Sequence, residues 1–118
     1  VRRAMLVASV AWMGVIFALS SVPGSSLPPG RYSTFGHFTL YAVLGALLLL
    51  SLPRRDRPWA MLAVAVAIAS LYGVTDEFHQ SFVPGRMPDV VDWMVDTAGA
   101  LTATLVLVAA RRLMAKRQ

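Results

Sequence analysis

The chain has no cysteine and few charged residues. The absence of cysteine among its 118 residues excludes disulfides, thiolate chemistry and cysteine-based zinc sites. Only 14% of the residues are charged, against about a quarter in an average soluble domain, and 57% are hydrophobic. Because the apolar residues fall in long blocks, we expect an integral membrane protein without a separate soluble domain.

Four blocks are long enough to cross a bilayer, which takes roughly 17–25 residues. Proline, glycine and serine separate the first two blocks, and Pro53 ends the second. The predicted fold class is therefore all-α, an integral membrane four-helix bundle that forms a single domain over residues 1–118. The sequence places the helices at about 4–20, 35–52, 58–78 and 91–110.

Two of these helices leave alternatives open. The fourth reaches spanning length only if Asp96 lies inside it. The first resembles a signal peptide in its arginine pair, its apolar run and its Ala18-Leu19-Ser20 segment. We expect this first helix to stay in the bundle rather than to be cleaved.

Small residues recur at four-residue spacing along the predicted helices. In lipid, such pairs allow helix backbones to approach closely. We therefore expect close helix contacts at some of these positions, although alanine is common throughout the chain. The pairs are Gly14 with Ala18, Ala63 with Ala67, and Gly99 with Ala103.

The basic residues are distributed unevenly around the predicted helices. Of the eleven, only Arg31 and Arg86 lie in the loops at 21–34 and 76–91. Basic segments tend to stay in the cytoplasm, so we expect both termini to be cytoplasmic and these two loops to face outward from the inner membrane. The net charge of +5 then predicts contact with anionic membrane lipids and no binding to nucleic acid. The other nine basic residues are Arg2, Arg3, Arg54, Arg55, Arg57, Arg111, Arg112, Lys116 and Arg117.

Five of the six acidic residues lie between positions 76 and 96, on the predicted outer side. Ionisable groups at the ends of apolar spans are costly in a membrane and usually mark a site. Helices 2, 3 and 4 all have an end on this side, so their polar side chains can converge. The candidate catalytic residues are His37, Asp76, Glu77, His79, Arg86, Asp92 and Asp96. The candidate supporting or substrate-binding residues are Tyr41, Gln80 and Asp89.

Each of these residues also has an ordinary structural interpretation. Asp89 can cap the fourth helix, and Asp92 would then lie in the first turn, where the helix dipole favours a carboxylate. Asp96 lies a turn deeper and needs a partner. The sequence offers Arg86, His37 or a metal ion for that role.

Carboxylates, imidazoles and an arginine suit acid–base chemistry on a phosphate ester or an amide. Arg86 offers a planar fork for phosphate, and His37 or His79 could transfer protons. We further expect Asp96 to position Arg86. Whether His79 faces the other candidate residues depends on where helix 3 ends.

The same acidic residues could instead hold a divalent cation, although their spacing is not diagnostic. An oxygen-rich set favours magnesium, calcium or manganese, and a histidine would admit zinc. The candidate metal ligands are Asp76, Glu77 and Asp92.

Two motifs carry a resemblance to the VanZ-like family of small bacterial membrane proteins. The pattern S/T-D-E-x-x-Q-x-F-x-P-G-R, followed by D and D-x-x-G, matches Thr75, Asp76, Glu77, Gln80, Phe82, Pro84, Gly85, Arg86, Asp92, Asp96 and Gly99. The pattern H-F-x-x-Y-x-x-L-G matches His37, Phe38, Tyr41, Leu44 and Gly45. Where many members carry an Asp-Lys pair before this histidine, the chain has Ser33 and Thr34.

The resemblance implies a four-helix membrane protein of the bacterial cell envelope. The family is named for an accessory protein of glycopeptide antibiotic resistance, and its polar residues imply a site for lipid or polyprenol head groups. Our leading hypothesis is a hydrolase or transferase that acts on phosphate-containing head groups in the outer leaflet. The alternatives are a non-enzymatic binder of lipid or antibiotic head groups, an accessory subunit of a membrane complex, and a proton-coupled transporter. The candidate protein partners are a second copy of the chain, in a homo-oligomer, or another membrane protein.

Overall fold

The computed structural model describes residues 1–27, 32–54 and 56–118. In this part of the chain it contains no strand and four α-helices, which confirms the predicted all-α fold class. A short 3-10 turn, Gly24–Ser26, follows the first helix. The predicted placements of Arg31 and Arg55 lie outside the described residues. The helices are α1 (Arg2–Ser20), α2 (Tyr32–Ser51), α3 (Pro58–Gln80) and α4 (Val90–Lys116).

All four helices are long and apolar enough to cross a membrane, so the chain has the architecture of a multi-pass membrane protein. Pro58 lies in the first turn of α3, where its missing N–H costs nothing. Asp89 caps α4 as predicted, because its carboxylate accepts a hydrogen bond from the backbone N–H of Val91 at 2.9 Å. The cap starts α4 at Val90, and the helix continues beyond the predicted end at residue 110 to Lys116.

The helix α2 packs against the other three helices, most extensively against α4. Glycines allow this close approach: a Cβ atom added to Gly45 would come within 2.8 Å of the Cα atom of Ala100. A Cβ atom on Gly99 would collide with the backbone carbonyl of Phe38. The expected role of Gly99 in close packing is therefore confirmed. By contrast, no neighbouring atom of the described residues lies within 4 Å of a Cβ atom placed on Gly14, which faces outward.

The interior of the bundle changes from apolar to polar along its length. At the apolar end the buried hydrophobic residues include Leu48, Leu49, Leu62, Ala65 and Val108. At the polar end the buried or half-buried residues include Ser20, His37, Tyr41, Asp76, Glu77, Gln80, Asp92 and Asp96. The antiparallel order of the helices produces this division, because α1 and α3 end where α2 and α4 begin.

Candidate functional site

The two described loop segments at the polar end are bound to each other through their backbones. The N–H of Gly24 donates to the carbonyl of Pro84 at 2.9 Å, and the Arg86 guanidinium donates to the carbonyl of Val22 at 3.1 Å. Gly85 has a φ of +73°, in the left-handed region that favours glycine, and its backbone lies directly against Gly24. These contacts hold the Pro84–Arg86 segment over the end of α1.

Asp76 lies one turn before the end of α3 and is held by side chains from two other helices. The hydroxyl of Ser20 donates to its Oδ1 atom, and the hydroxyl of Tyr41 donates to its Oδ2 atom at 3.1 Å. Gln80, one turn further along α3, extends its amide nitrogen to within 3.5 Å of the Ser20 hydroxyl. Three helices therefore meet at a carboxylate that is only 5% exposed.

His37 lies between two carboxylates of α4. Its Nδ1 atom is 2.7 Å from Oδ1 of Asp96, and its Nε2 atom is 4.0 Å from Oδ2 of Asp92. His37 is thus the partner of Asp96, which is fully buried. Of the partners that the sequence offered for Asp96, the structure therefore selects the imidazole of His37, through an ion pair or a hydrogen bond.

The expected positioning of Arg86 by Asp96 does not occur in the structure. Asp96 points from α4 toward α2, whereas Arg86 turns back toward α1 and bonds the carbonyl of Val22. All six acidic residues belong to the described part of the chain, and none of them forms an ion pair with Arg86. The guanidinium therefore has no internal counter-charge.

Asp76, Glu77, Asp92 and Asp96, together with His37, form the acidic cluster of the polar end. Glu77 is buried in this cluster, and one of its two carboxylate oxygens has a hydrogen-bond partner. Its Oε2 atom accepts a hydrogen bond from the backbone N–H of Asp89 at 2.9 Å. Its Oε1 atom has no hydrogen-bond partner among the described residues, and the same holds for the Oδ2 atom of Asp96. Asp89 supports the site through its backbone, while its own carboxylate caps α4.

His79 is not brought to the cluster. Its ring stacks on Phe17 with a centroid separation of 4.2 Å, and its Nε2 atom is 3.0 Å from the hydroxyl of Ser21. Two residues along a helix correspond to a rotation of about 200°, so His79 and Glu77 point in nearly opposite directions. The structure therefore brings the other six candidate catalytic residues to the acidic side chains or to the cavity beside them, and it turns His79 away from both, against α1.

A cavity of about 280 Å³ lies beside Asp76 and Arg86. Its apolar wall contains leucines and a valine from α1, α2 and the loop after α1, several of them partly exposed on the outside of the bundle. A polar floor against an apolar wall suits an amphiphilic ligand with a charged head group. The polar side chains that line it are Ser20, Ser33, His37, Tyr41, Asp76, Gln80 and Arg86.

Two residues that contribute to this arrangement were not predicted from the sequence. Ser20 supplies one of the two hydroxyls that bind Asp76, and its position at the end of an apolar helix at the same height was the available signal. Gly73 makes room for Asp96, because a Cβ atom there would lie 3.2 Å from both Oδ2 of Asp96 and the ring of Trp93. Only the rotation of α3 and α4 about their axes reveals that contact.

Comparison with known proteins agrees with the motifs and the fold. The sequence profile of the VanZ/LLP1 family matches residues 5–111, which include every candidate site residue. The chain therefore belongs to the VanZ/LLP1 family. No curated protein and no solved structure showed significant similarity to it.

Proposed function

We propose that this member of the VanZ/LLP1 family binds the phosphate of a lipid head group and catalyses its transfer at the outer face of the inner membrane. One observation carries the proposal. A single cavity combines Arg86, which has no carboxylate partner, with the Asp76 carboxylate and an apolar wall. A phosphate ester on a long hydrocarbon chain matches these three features in charge, chemistry and shape.

Arg86 is the phosphate-binding residue in this proposal. One guanidinium N–H is used by the carbonyl of Val22 at 3.1 Å, and the guanidinium has five N–H donors in all. The remaining donors can form the paired hydrogen bonds that arginine makes to phosphate. Because Arg86 is half-buried, its charge is screened by water less than that of a fully exposed arginine.

Asp76 is the residue that transfers the proton. Its oxygens accept hydrogen bonds from Ser20 and Tyr41, and each oxygen keeps a further lone pair for a substrate. When an acceptor hydroxyl attacks phosphorus, its proton passes to Asp76 and the bond from phosphorus to the leaving oxygen breaks. The proton then passes to the leaving oxygen, which regenerates the carboxylate. His37 is less suited to this step, because both of its ring nitrogens face carboxylates.

The distribution of the described basic residues supports the orientation that we propose for the bundle. Arg86 is the one basic residue among them at the polar end, whereas the other eight lie at the apolar end or beyond it. By the positive-inside rule, the polar end faces away from the cytoplasm and both termini face the cytoplasm. The lipid chain would then lie along Leu19 and Leu40, while its phosphate lies at the level of the outer head groups.

Binding of a polyprenyl monophosphate to the purified protein tests the role of Arg86. The Arg86→Ala substitution should raise the Kd for the phosphate about 10- to 100-fold, because charge-assisted hydrogen bonds contribute about 1.5–3 kcal/mol. It should leave binding of the uncharged polyprenol unchanged. Arg57→Ala is the matched control, since Arg57 is exposed at the opposite end. Equal affinities of the wild-type protein and Arg86→Ala for the phosphate would contradict the assignment.

Lipid mass spectrometry separates an enzyme from a binder. Cells that lack the protein, and cells that carry only Arg86→Ala, should accumulate the same phosphate-containing lipid. Arg57→Ala should restore the wild-type lipid profile. If the phosphate binds through Arg86 but none of these strains changes its lipids, the protein is a head-group binder and the catalytic role of Asp76 is wrong.

A further inference from the structure

We infer that the polar end holds a divalent cation, with Nε2 of His37 and carboxylate oxygens of Glu77 and Asp92 as its protein ligands. One donor atom from each of these residues lies within 4.8 Å of the other two. Ligands bound to one ion at about 2.0–2.2 Å lie at most about 4.4 Å apart, so a small side-chain movement completes the site. Glu77 and Asp92 do not line the cavity of about 280 Å³ beside Asp76 and Arg86, called the head-group cavity below. The cation would therefore lie next to that cavity and not inside it.

The charge at the polar end is the first argument for a cation. Four carboxylates are gathered there, those of Asp76, Glu77, Asp92 and Asp96, and among the described residues His37 is the one basic side chain within 4.0 Å of any of them. Hydrogen bonds from hydroxyls and a backbone N–H orient these carboxylates but supply no net positive charge. Because uncompensated charge is costly inside a membrane bundle, a bound cation would stabilise the cluster.

Unpartnered carboxylate oxygens are the second, independent argument. Glu77 is 9% exposed, and its Oε1 atom has no hydrogen-bond partner among the described residues. Its Oε2 atom is bound by the backbone N–H of Asp89, which fixes the side chain and leaves Oε1 as the donor atom available to a metal. A buried polar atom without a partner is unfavourable, and coordination of an ion would satisfy it.

The hydrogen bond of His37 determines which of its nitrogens is available. Nδ1 lies 2.7 Å from the Asp96 carboxylate and so carries the proton of that hydrogen bond. The lone pair is then on Nε2, which faces Asp92. Histidines that bind metals usually donate their other N–H to a carboxylate in this way, which gives Asp96 the role of orienting the ligand.

A second grouping, His37 with Asp76 and Asp96, also has donor atoms within 4.8 Å of one another. Its donor atoms are largely in use, because Asp96 binds Nδ1 of His37 and Asp76 accepts from Ser20 and Tyr41. Coordination there would break these hydrogen bonds. The grouping with Glu77 and Asp92 breaks none that the structure shows, and we therefore prefer it.

The donor set also indicates the class of ion. One imidazole nitrogen with two carboxylate oxygens suits Mn²⁺ or Zn²⁺, whereas Ca²⁺ and Mg²⁺ are bound mainly by oxygen. A cation at this position would lie close to the head-group cavity, since His37 lines that cavity as well. Cation binding can nevertheless be measured without any lipid, so its test is separate from that of the proposed phosphate chemistry.

Titration with Mn²⁺, followed by loss of the free-ion EPR signal, tests the site directly. The full chain is purified in detergent on a tag that contains no histidine and is stripped of metal beforehand. We expect one Mn²⁺ per chain, displaced by Zn²⁺ but not by an equal concentration of Ca²⁺. His37→Gln, Glu77→Gln and Asp92→Asn should each weaken Mn²⁺ binding at least about tenfold.

Matched controls separate loss of a ligand from a general change of charge or fold. His79→Gln and Asp56→Asn repeat two of the substitutions away from the cluster and should bind Mn²⁺ as the wild-type chain does. Asp92→Asn is the mildest of the three ligand changes, because Asp92 is half-buried and its side chain forms no hydrogen bond in the described structure. Mn²⁺ should raise the Tm of the wild-type chain and of both controls, but not that of Asp92→Asn.

Three results would overturn the inference. The first is a wild-type chain that binds neither Mn²⁺ nor Zn²⁺. The second is a control variant that loses Mn²⁺ as fully as the ligand variants do. The third is an Asp76→Asn chain that loses the ion while Glu77→Gln and Asp92→Asn keep it, because the second grouping would then be the ligand set.

Discussion

The two ends of the bundle satisfy their buried hydroxyl groups in different ways. Toward the apolar end, the hydroxyls of Ser9 and Thr104 donate to carbonyls one turn earlier in their own helices. At the polar end, the hydroxyls of Ser20 and Tyr41 donate to Asp76 on a different helix. A bond within one helix needs no particular arrangement of the others, whereas the bonds to Asp76 require three helices in register. This difference indicates that the apolar end serves packing and the polar end serves a site.

The junction between the two ends is the close contact of α2 with α4. Gly45 lies against Ala100, and Gly99 lies against the backbone of Phe38. The same two helices carry His37 and Asp96, so the backbone separation at the junction also sets the geometry of that pair. Substitutions at the junction should therefore change the stability of the bundle as well as the geometry of the site.

Substitution of Gly99 at the junction should have the largest effect on the stability of the bundle. Gly99→Ala places a methyl group against the Phe38 carbonyl, and overpacking of this kind typically costs about 1–3 kcal/mol. We expect a loss of about 2 kcal/mol in the free energy of unfolding, measured by titration with a denaturing detergent. We also expect weaker Mn²⁺ binding, because α2 and α4 must separate.

Gly14→Ala is the matched control for this change. Both glycines are inside helices, so both substitutions gain the same helix propensity. In the described part of the chain, however, no neighbouring atom lies within 4 Å of a Cβ atom placed on Gly14. Gly14→Ala should leave stability unchanged or raise it by up to about 1 kcal/mol. Equal stability of the two variants would show that the α2–α4 contact does not hold the two ends together.

Removal of one hydroxyl from Asp76 should have a smaller and more selective effect. Tyr41→Phe leaves the carboxylate with Ser20 as its remaining hydroxyl donor. A hydrogen bond to a charged group contributes about 1.5–3 kcal/mol, and 1.4 kcal/mol is a factor of ten. We expect the rate of lipid conversion, followed by mass spectrometry, to fall about tenfold or more.

The matched control for Tyr41 is Tyr72, whose hydroxyl donates to the backbone carbonyl of Met13 at 2.6 Å. Tyr72→Phe should cost about 1 kcal/mol of stability and leave the conversion rate unchanged. If both variants slow the conversion equally, the hydroxyl of Tyr41 acts only through stability. The proposed proton transfer by Asp76 would then not depend on the hydrogen bond from Tyr41.

The sequence was sufficient for those features that depend on local patterns. Apolar length predicted the four helices, and the position of Asp89 ahead of an apolar run predicted the cap of α4. Antiparallel helix order and helical periodicity predicted that His37 and Asp96 would lie at the same end of the bundle. These features need no knowledge of how one helix is rotated against the next.

The remaining features depend on helix rotation and on contacts between loops. Asp96 had three candidate partners, and the orientation of α4 against α2 selected His37. The rotation of the helices also turns His79 toward Phe17 and brings Ser20 to Asp76. Side-chain spacing along one helix defines a shared face, but it does not specify which neighbouring helix that face contacts.

The central claim is that the polar end of the bundle faces the outer leaflet. The chain has no cysteine, so Ser26→Cys and Gln118→Cys each introduce a single reactive thiol at an exposed position. A membrane-impermeant maleimide applied to intact cells should label Ser26→Cys, and it should label Gln118→Cys only after the membrane is permeabilised. The opposite pattern would place Arg86 and the acidic cluster on the cytoplasmic side and would contradict the account.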